Sequence, residues 1–404
     1  MSRRLLFVNR YAYPDHSATS QMMSDLASRL SGAGFDVVLI ASRQCYDNPG
    51  AALPAQGMSG RVAIHRVWTS RFGRGWLIGR AFDYLSFYLT AAVAVLRTAR
   101  RGDIVVVKTD PPMLSVVIGP LARMRGAVVV NWLQDVFPEV AVALGVSGFG
   151  GAFGKIARRL RDRSLRRAAM NVAIGDGMAK RLEAQGLPSD RIVVIPNWAD
   201  GETIRPLAHA DNPLRQEWGL AGKFVVAYSG NLGRAHEFQT LLDAAEQLRA
   251  EPDIAFLFIG GGHGRAELEA EPKVRRLANV RCLPYQPRQH LCQSLGVADV
   301  HWISLRPELE GLIVPSKIYG VLAAGKPTLM VGESDGEIGR LLHRYDCGIS
   351  VPVGAGARLA DAILRLRDAN DEREGMGCRA RAAFDANFTP AHAFWAWERL
   401  LAEL

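Results

Sequence analysis

The residues best equipped for chemistry lie in the stretch 308–327, ELEGLIVPSKIYGVLAAGKP. Carboxylates at Glu308 and Glu310 precede a glycine turn at Gly311, and Lys317 follows a Pro315-Ser316 pair. Proline suits a first helical turn and serine can cap its free N–H groups. The spacing therefore predicts a helix that starts at Pro315-Ser316 and closes at Gly325, with Pro327 just beyond. The apolar run before it, residues 298–305, reads as a buried parallel strand. A lysine at a helix start behind such a strand makes an anion site, because the unpaired N–H groups and the ammonium attract the same charge. A plain strand–loop–helix unit without a ligand carries the same local pattern and remains the alternative.

A second phosphate candidate is the turn Ser229-Gly230-Asn231-Leu232-Gly233-Arg234, between a strand at 224–228 and a helix beginning near Phe238. Small residues there let backbone approach a phosphate, and Arg234 is the available cation. A third glycine turn, Gly260-Gly261-Gly262-His263-Gly264, follows a strand at 254–259. The first loop, residues 9–19 (NRYAYPDHSAT), has no G-x-G-x-x-G, which argues against a nicotinamide dehydrogenase. No metal is expected. The nearest approaches to a paired-acid cluster are Glu308-Leu309-Glu310 and Asp335-Gly336-Glu337, and the five cysteines show no C-x-x-C pair.

The elements that must position these groups alternate strand and helix along 404 residues, which suits two α/β domains. Strands are expected at 4–8, 37–41, 62–68, 104–108, 127–133, 171–174 and 192–195 in the first half. In the second they fall at 224–228, 254–259, 281–283, 300–305 and 328–331, after a polar linker at 201–222. Open α/β sheets bind ligands at the carboxyl ends of their strands. That singles out Asp135, just after the strand at 127–133.

Charge is uneven. Residues 1–200 carry 26 Lys and Arg against 14 Asp and Glu, and residues 201–404 carry 23 against 26. The basic half is expected to meet something anionic: nucleic acid, acidic lipid or a phosphorylated small molecule. Two segments concentrate the effect. Arg71, Arg74 and Arg80 stand beside Phe72, Trp76, Leu77 and Ile78. Residues 155–167 hold seven bases threaded by Ile156, Leu160 and Leu165, the pattern of a basic amphipathic helix. No apolar run is long enough to span a bilayer, and the MSRRLLFVNR start reads as a first strand rather than a signal peptide.

The stretch 308–327, together with Ile195-Pro196-Asn197-Trp198-Ala199-Asp200, resembles retaining glycosyltransferases of the GT-B type. It is most similar to family 4, in the branch that writes P-S-K-x-Y. The resemblance implies an α/β fold of two Rossmann-like domains facing across a cleft. Residues 1–198 would bind the acceptor, with a terminal helix at 388–404 packing back on them, and residues 199–387 the nucleotide-sugar donor. It implies that Gly230, Asn231, Arg234, Gly261, Pro315, Ser316 and Lys317 hold the donor, with Tyr285 against its base and Glu310 on ribose or sugar hydroxyls. Tyr11, Asp15, His16 and Ser17 would line the acceptor loop, with Asp135 orienting the acceptor or acting as a weak base. Lys317 and Arg234 would stabilise the departing diphosphate without a metal.

Three positions depart from the family pattern. Asn231 stands where many relatives have an arginine and His236 where they have a lysine. Glu310 or Glu308 can serve as the first of two glutamates seven residues apart, but the second position is Gly320. The branch implies bacterial exopolysaccharide, capsule or O-antigen assembly. Its acceptors are usually sugars on a polyprenyl diphosphate, at the inner face of the plasma membrane. A nucleotide-sugar epimerase of similar fold and a basic nucleic-acid-binding protein are the rival readings.

Overall fold

A computed structural model describes residues 3–15, 17–46, 50, 52–73 and 77–404. The chain forms two compact units. One comprises Met1–Pro196 with Phe394–Leu404, and the other Asn197–Ala393.

The first unit runs β1 (Arg4–Val8), α1 (Ala18–Gly32), β2 (Asp36–Ser42), β3 (Gln56–Ser59), β4 (Val62–Val67), α2 (Leu77–Thr98) and β5 (Ile104–Lys108). It continues with α3 (Leu114–Met124), β6 (Val128–Trp132), α4 (Glu139–Ala143), α5 (Ala152–Arg167), β7 (Met170–Ala173), α6 (Asp176–Ala184) and β8 (Ile192–Val194). Among the described residues its strands form one sheet ordered β3-β4-β2-β1-β5-β6-β7-β8, parallel except for the β3–β4 pair. β5, Ile-Val-Val-Val-Lys, is buried along its length, as expected of a strand covered on both faces. The order reverses between β1 and β5, so their carboxyl ends form the switch point of this sheet.

The second unit runs α7 (Pro213–Glu217), β9 (Phe224–Asn231), α8 (Gln239–Gln247), β10 (Ile254–Gly261), α9 (Arg265–Val274), β11 (Val280–Leu283), α10 (Leu291–Gly296) and β12 (Val300–Ser304). Then come α11 (Lys317–Ala323), β13 (Thr328–Val331), α12 (Glu337–Tyr345), β14 (Gly348–Val351), α13 (Gly356–Asp368) and α14 (Asn370–Asn387). The last helix, α15 (Pro390–Glu403), belongs to the first unit from Phe394 onward. The parallel order is β11-β10-β9-β12-β13-β14, which places the switch point at the ends of β9 and β12.

Several elements differ from the sequence reading. β3 was not expected: its partly exposed Gln-Gly-Met-Ser lacks a strand pattern, and it is held by antiparallel pairing to β4. The 201–222 stretch is not only linker. It holds α7, with Pro213 at its start and the Asn212 carboxamide oxygen accepting the Leu214 N–H at 3.1 Å. The terminal region is two helices, α14 and α15, with Pro390 opening the second. α15 is fastened to the first sheet. Trp397 packs on Trp132 at 4.9 Å between ring centroids, and Arg3 donates to the Leu401 carbonyl at 2.5 Å.

Two helices of the first unit carry apolar side chains outward. α2 buries Asp83, Phe87, Ala91 and Val95, four residues apart, and on other faces leaves Ile78, Phe82, Leu85, Leu89 and Val93 exposed. α5, read from the sequence as a basic helix threaded by Ile156, Leu160 and Leu165, turns Gly154, Ala157, Arg161 and Leu165 inward. Ile156 and Leu160 lie exposed with Phe153 among the bases, because the buried Arg161 is taken by Glu139 at 2.6 Å.

Candidate functional site: a glycine-lined pocket at the switch point of the second sheet

The carboxyl ends of β9 and β10 lie side by side, with Gly230 paired to Gly260 and Asn231 to Gly261. Gly230 has φ +133° and Gly260 φ +138°, conformations in which other residues are strained. A Cβ on Gly260 would stand 2.1 Å from the Gly230 carbonyl oxygen, and one on Gly230 would stand 2.7 Å from Lys317 Cε. Glycine is therefore required at both positions, and beside them lies a pocket walled by Tyr228, Gly230, Leu232, Phe258, Gly260 and Gly261. The exposed Tyr285 ring closes one edge, 2.9 Å from where a Gly261 Cβ would be.

Lys317 reaches this pocket from the start of α11. Its Nζ lies 2.9 Å from His236 Nε2 and 5.1 Å from the centre of the Tyr228 ring. No carboxylate pairs with it among the described residues. Burial pushes its pKa down to about 8. His236 is buried, and its Nδ1 lies 2.7 Å from the carbonyl oxygen of Ser304, the last residue of β12. A carbonyl can only accept, so Nδ1 carries the proton and Nε2 accepts from the ammonium. Burial first, then the neighbouring Lys317 charge, pushes the imidazole down to about 3, so it stays neutral.

Gly230, Gly261, Tyr285 and Lys317 are thus brought together. Asn231 also lies here, its Oδ1 2.4 Å from where a Gly262 Cβ would be. Pro315 is buried and its carbonyl accepts from Ile318 N–H at 3.2 Å. Ser316 does not cap as expected. It occupies the N-cap position with helical backbone angles, and its hydroxyl makes no capping bond. Arg234 sits exposed on the loop after β9, and its guanidinium has no ion pair or hydrogen bond among the described residues. The side chain that touches Lys317 is His236, not Arg234.

Glu310 serves a helix start. Its carboxylate accepts the Glu337 N–H at 3.2 Å at the beginning of α12, and a Cβ on Gly336 would stand 2.3 Å from it. Burial raises its pKa, with the Glu337 N–H opposing. Gly320, at the family's second glutamate position, has no close neighbour beyond Leu295 at 3.6 Å. Tyr319 of the P-S-K-x-Y pattern is a core residue, 5.3 Å from the Phe388 ring.

In the first unit Asp135 follows β6 and lines a cavity with Lys108, Thr109, Ser115, Asn131 and Arg161. Its Oδ1 is buried without a hydrogen-bond partner among the described residues. Burial and the nearby Asp110 charge push its pKa up to about 7, against a hydrogen bond from Thr109. The acceptor-loop expectation changes more. Tyr11 and Asp15 are buried, and Asp15 is occupied inside the loop by the Ser17 N–H at 2.9 Å, the Ser17 hydroxyl at 2.5 Å and the Tyr46 N–H. His16 lies outside the described residues, as do Arg74 and Trp76. Sequence reasoning missed Lys108 and the Arg10–Asp83 ion pair at 3.3 Å. Asp83 also accepts the Ser70 hydroxyl and the Phe72 and Gly73 N–H groups, at 2.7 to 3.0 Å. A charged residue inside an apolar strand or helix was the available signal.

Two Rossmann-like units, each with a pocket at the carboxyl ends of its strands, define a GT-B architecture. Residues 18–198 match the glycosyl transferase 4-like domain and residues 223–369 the glycosyl transferases group 1 domain. The chain is 30% identical over 324 residues, 79% of each protein, to a Pseudomonas aeruginosa protein named as the probable glycosyltransferase WbjE. It is 29% identical over 237 residues to WcaI of Escherichia coli K12, named for colanic acid biosynthesis and glycosyl transfer, and that match covers 58% of each protein. Among solved structures, sucrose-phosphate synthase from Thermosynechococcus elongatus superposes with TM-score 0.80 at 16% identity, covering 99% of this chain and 98% of that one. HepE of Anabaena, in complex with UDP and glucose, gives 0.75 at 15% over the whole of both chains. The chain belongs to the glycosyltransferase family of these relatives.

Proposed function

We propose that the protein transfers a sugar, with retention of configuration, from a nucleoside diphosphate sugar to a saccharide acceptor in the building of a surface polysaccharide. The observation that carries this reading is the Lys317 ammonium, half-buried at a strand switch point, beside a glycine-lined pocket and with uncharged partners. A cation so placed suits a charge that arrives with the ligand and grows as the bond from the anomeric carbon to the diphosphate oxygen breaks. The acceptor hydroxyl oxygen forms the new bond and its proton passes to the departing diphosphate, and Asp135 is the carboxylate offered to orient that hydroxyl. The HepE structures hold UDP and UDP-glucose, which favours a donor of the same class. Lys317 and the chain's own N–H groups do the work otherwise given to a metal. Among the described residues no group of three His, Cys, Asp or Glu is placed to hold one.

The experiment is a thermal-shift screen of nucleotide sugars followed by product analysis. A nucleoside diphosphate sugar should stabilise the protein, and transfer should need an acceptor and survive EDTA. Conversion of the donor alone to its epimer would favour the epimerase reading. Loss of activity with EDTA, restored by magnesium or manganese, would place a metal at one of the acidic turns.

The acceptor is proposed to be polyprenyl-linked and reached at the inner membrane surface. No helix among the described residues is long and apolar enough to cross a membrane. The support is the outward stripe of α2 with Phe72 and Arg71, and the outward Phe153, Ile156 and Leu160 of α5 among Lys155, Arg159 and Arg163, all exposed. Apolar side chains rimmed by bases suit an anionic lipid surface, each base adding about 1 kcal/mol near it. Sedimentation with anionic liposomes at low salt and release at high salt is expected. Indifference to anionic liposomes at low salt would point to a soluble acceptor.

A further inference from the structure

The resemblance implies a lysine in many relatives where this chain has His236. The substitution does not leave a gap. We propose that His236 is a positioning residue: held at Nδ1 by the Ser304 carbonyl, its imidazole accepts the Lys317 ammonium at Nε2 and fixes that cation at the mouth of the glycine-lined pocket. This rests on the donor-site reading of Lys317 given above.

The argument starts from hydrogen-bond direction. Ser304 is the last residue of β12 and its carbonyl oxygen lies 2.7 Å from Nδ1, so the ring is oriented by the sheet itself. Ser304 Oγ also accepts the Glu237 N–H at 3.1 Å, which ties the backbone after His236 to the same strand end. The ring stands edge-on to Tyr228, with centroids 5.7 Å apart and planes at 74°, so it has little room to turn. Only one nitrogen, Nε2, is left, and it lies 2.9 Å from Lys317 Nζ.

The groups facing this ring are Lys317 from α11, Tyr228 from β9 and Ser304 from β12, and none is a carboxylate. A protonated imidazole would set two cations against each other with nothing to offset them. The ring therefore serves as a neutral acceptor, which a lysine at the same position could not be. Lysine is long and unbranched, with four rotatable bonds, and an ammonium left without this acceptor samples several positions. A misplacement of about 1 Å costs on the order of 100-fold in rate.

The test is a cycle of four proteins: wild type, His236→Leu, Lys317→Met and the double variant, each assayed with saturating nucleotide sugar and acceptor. His236→Leu should lower kcat about 10- to 100-fold with a smaller change in KM, and should have almost no further effect once Lys317 is Met. His236→Gln, which keeps a carbonyl acceptor, should recover part of the rate. An equal loss from His236→Leu in both backgrounds would overturn the proposal, because the residue would then act on folding or elsewhere. Imidazole 15N NMR supplies a readout that does not need turnover. The expected spectrum is a neutral Nδ1–H tautomer from pH 5 to 9, with an Nε2 signal that moves on Lys317→Met. An Nε2–H tautomer, or titration near the ordinary histidine value of about 6.5, would also overturn it. If no nucleotide sugar is turned over while the NMR result holds, the donor reading fails and the positioning contact stands.

Discussion

Lys108 in the first unit and Lys317 in the second are both desolvated on folding, and their surroundings diverge. Lys108 ends β5 in the first unit. Its Nζ donates to the Thr19 carbonyl at 2.7 Å and lies 3.8 Å from the Trp132 ring centre, and the residue is 2% exposed. Burial pushes its pKa down to about 7. Lys317 in the second unit has the same kind of company, a neutral acceptor and an aromatic face, and is pushed down to about 8. Around Lys108 the neighbours are large: Trp132 is itself packed on Trp397. Around Lys317 they include the Gly230 backbone, which packs against its Cε. Lys317 is the proposed binding group because it stands at the glycine strand end of β9, whereas the Lys108 ammonium, although it lines the cavity beside Asp135, is taken by the Thr19 carbonyl and the Trp132 face.

The comparison breaks most plainly at Lys317. Replacing it with alanine should remove about 2–4 kcal/mol of transition-state stabilisation, a fall of roughly 30- to 1000-fold in kcat/KM, with thermal unfolding little changed. Wild-type turnover in that variant would end the equation of Lys317 with the donor site. The corresponding change at Lys108, to methionine, should leave kcat/KM within a few-fold.

Acidity sharpens the contrast next. Activity should decline above pH about 8 as the Lys317 ammonium deprotonates, approaching tenfold per pH unit. It should rise through pH about 7 as Asp135 ionises, if that carboxylate orients the acceptor. A flat profile from pH 7 to 10 would remove Lys317 from the rate-determining step.

Lys108 should speak through stability instead. Its folded pKa of about 7 lies below the unfolded value near 10.4, so the unfolded chain binds the extra proton between them. Its cost is therefore complete below pH about 7 and is relieved as pH rises toward 10, by up to about 1.4 kcal/mol per pH unit. Urea unfolding at several pH values should show this gain in the wild type and a weaker one in Lys108→Met. Equal slopes would mean that Lys108 is not desolvated.

The smallest effect belongs to Arg234. Exposed and without a partner among the described residues, it should contribute under tenfold to donor affinity, about 1 kcal/mol, and less in high salt. A loss as large as that at Lys317 would show that its side chain swings in when donor binds.

Local pattern determined a good deal of this protein. The alternation of apolar strand and helix, and the buried runs such as residues 104–108 and 300–304, are periodic signals in the chain itself, and the strands other than β3 and β14 fall near where that pattern puts them. The glycine at 230 and the lysine at 317 were visible as phosphate-type features, because small residues in a turn and a cation at a helix start are local, whereas Gly261 entered only through the family resemblance. Tertiary structure alone decided the partners. No spacing brings His236, Ser304 and Lys317 to one point, since they are separated by many residues and meet only because β9 and β12 are neighbours at the switch of the sheet. Nor does any local rule say that Asp15 turns inward to its own loop, that Glu310 holds the start of α12, or that Ile156 and Leu160 face out. A side chain's type is set by the chain, but its desolvation and its partners are set by which elements pack against it, and those two quantities decide whether a charged residue binds a ligand or holds the fold.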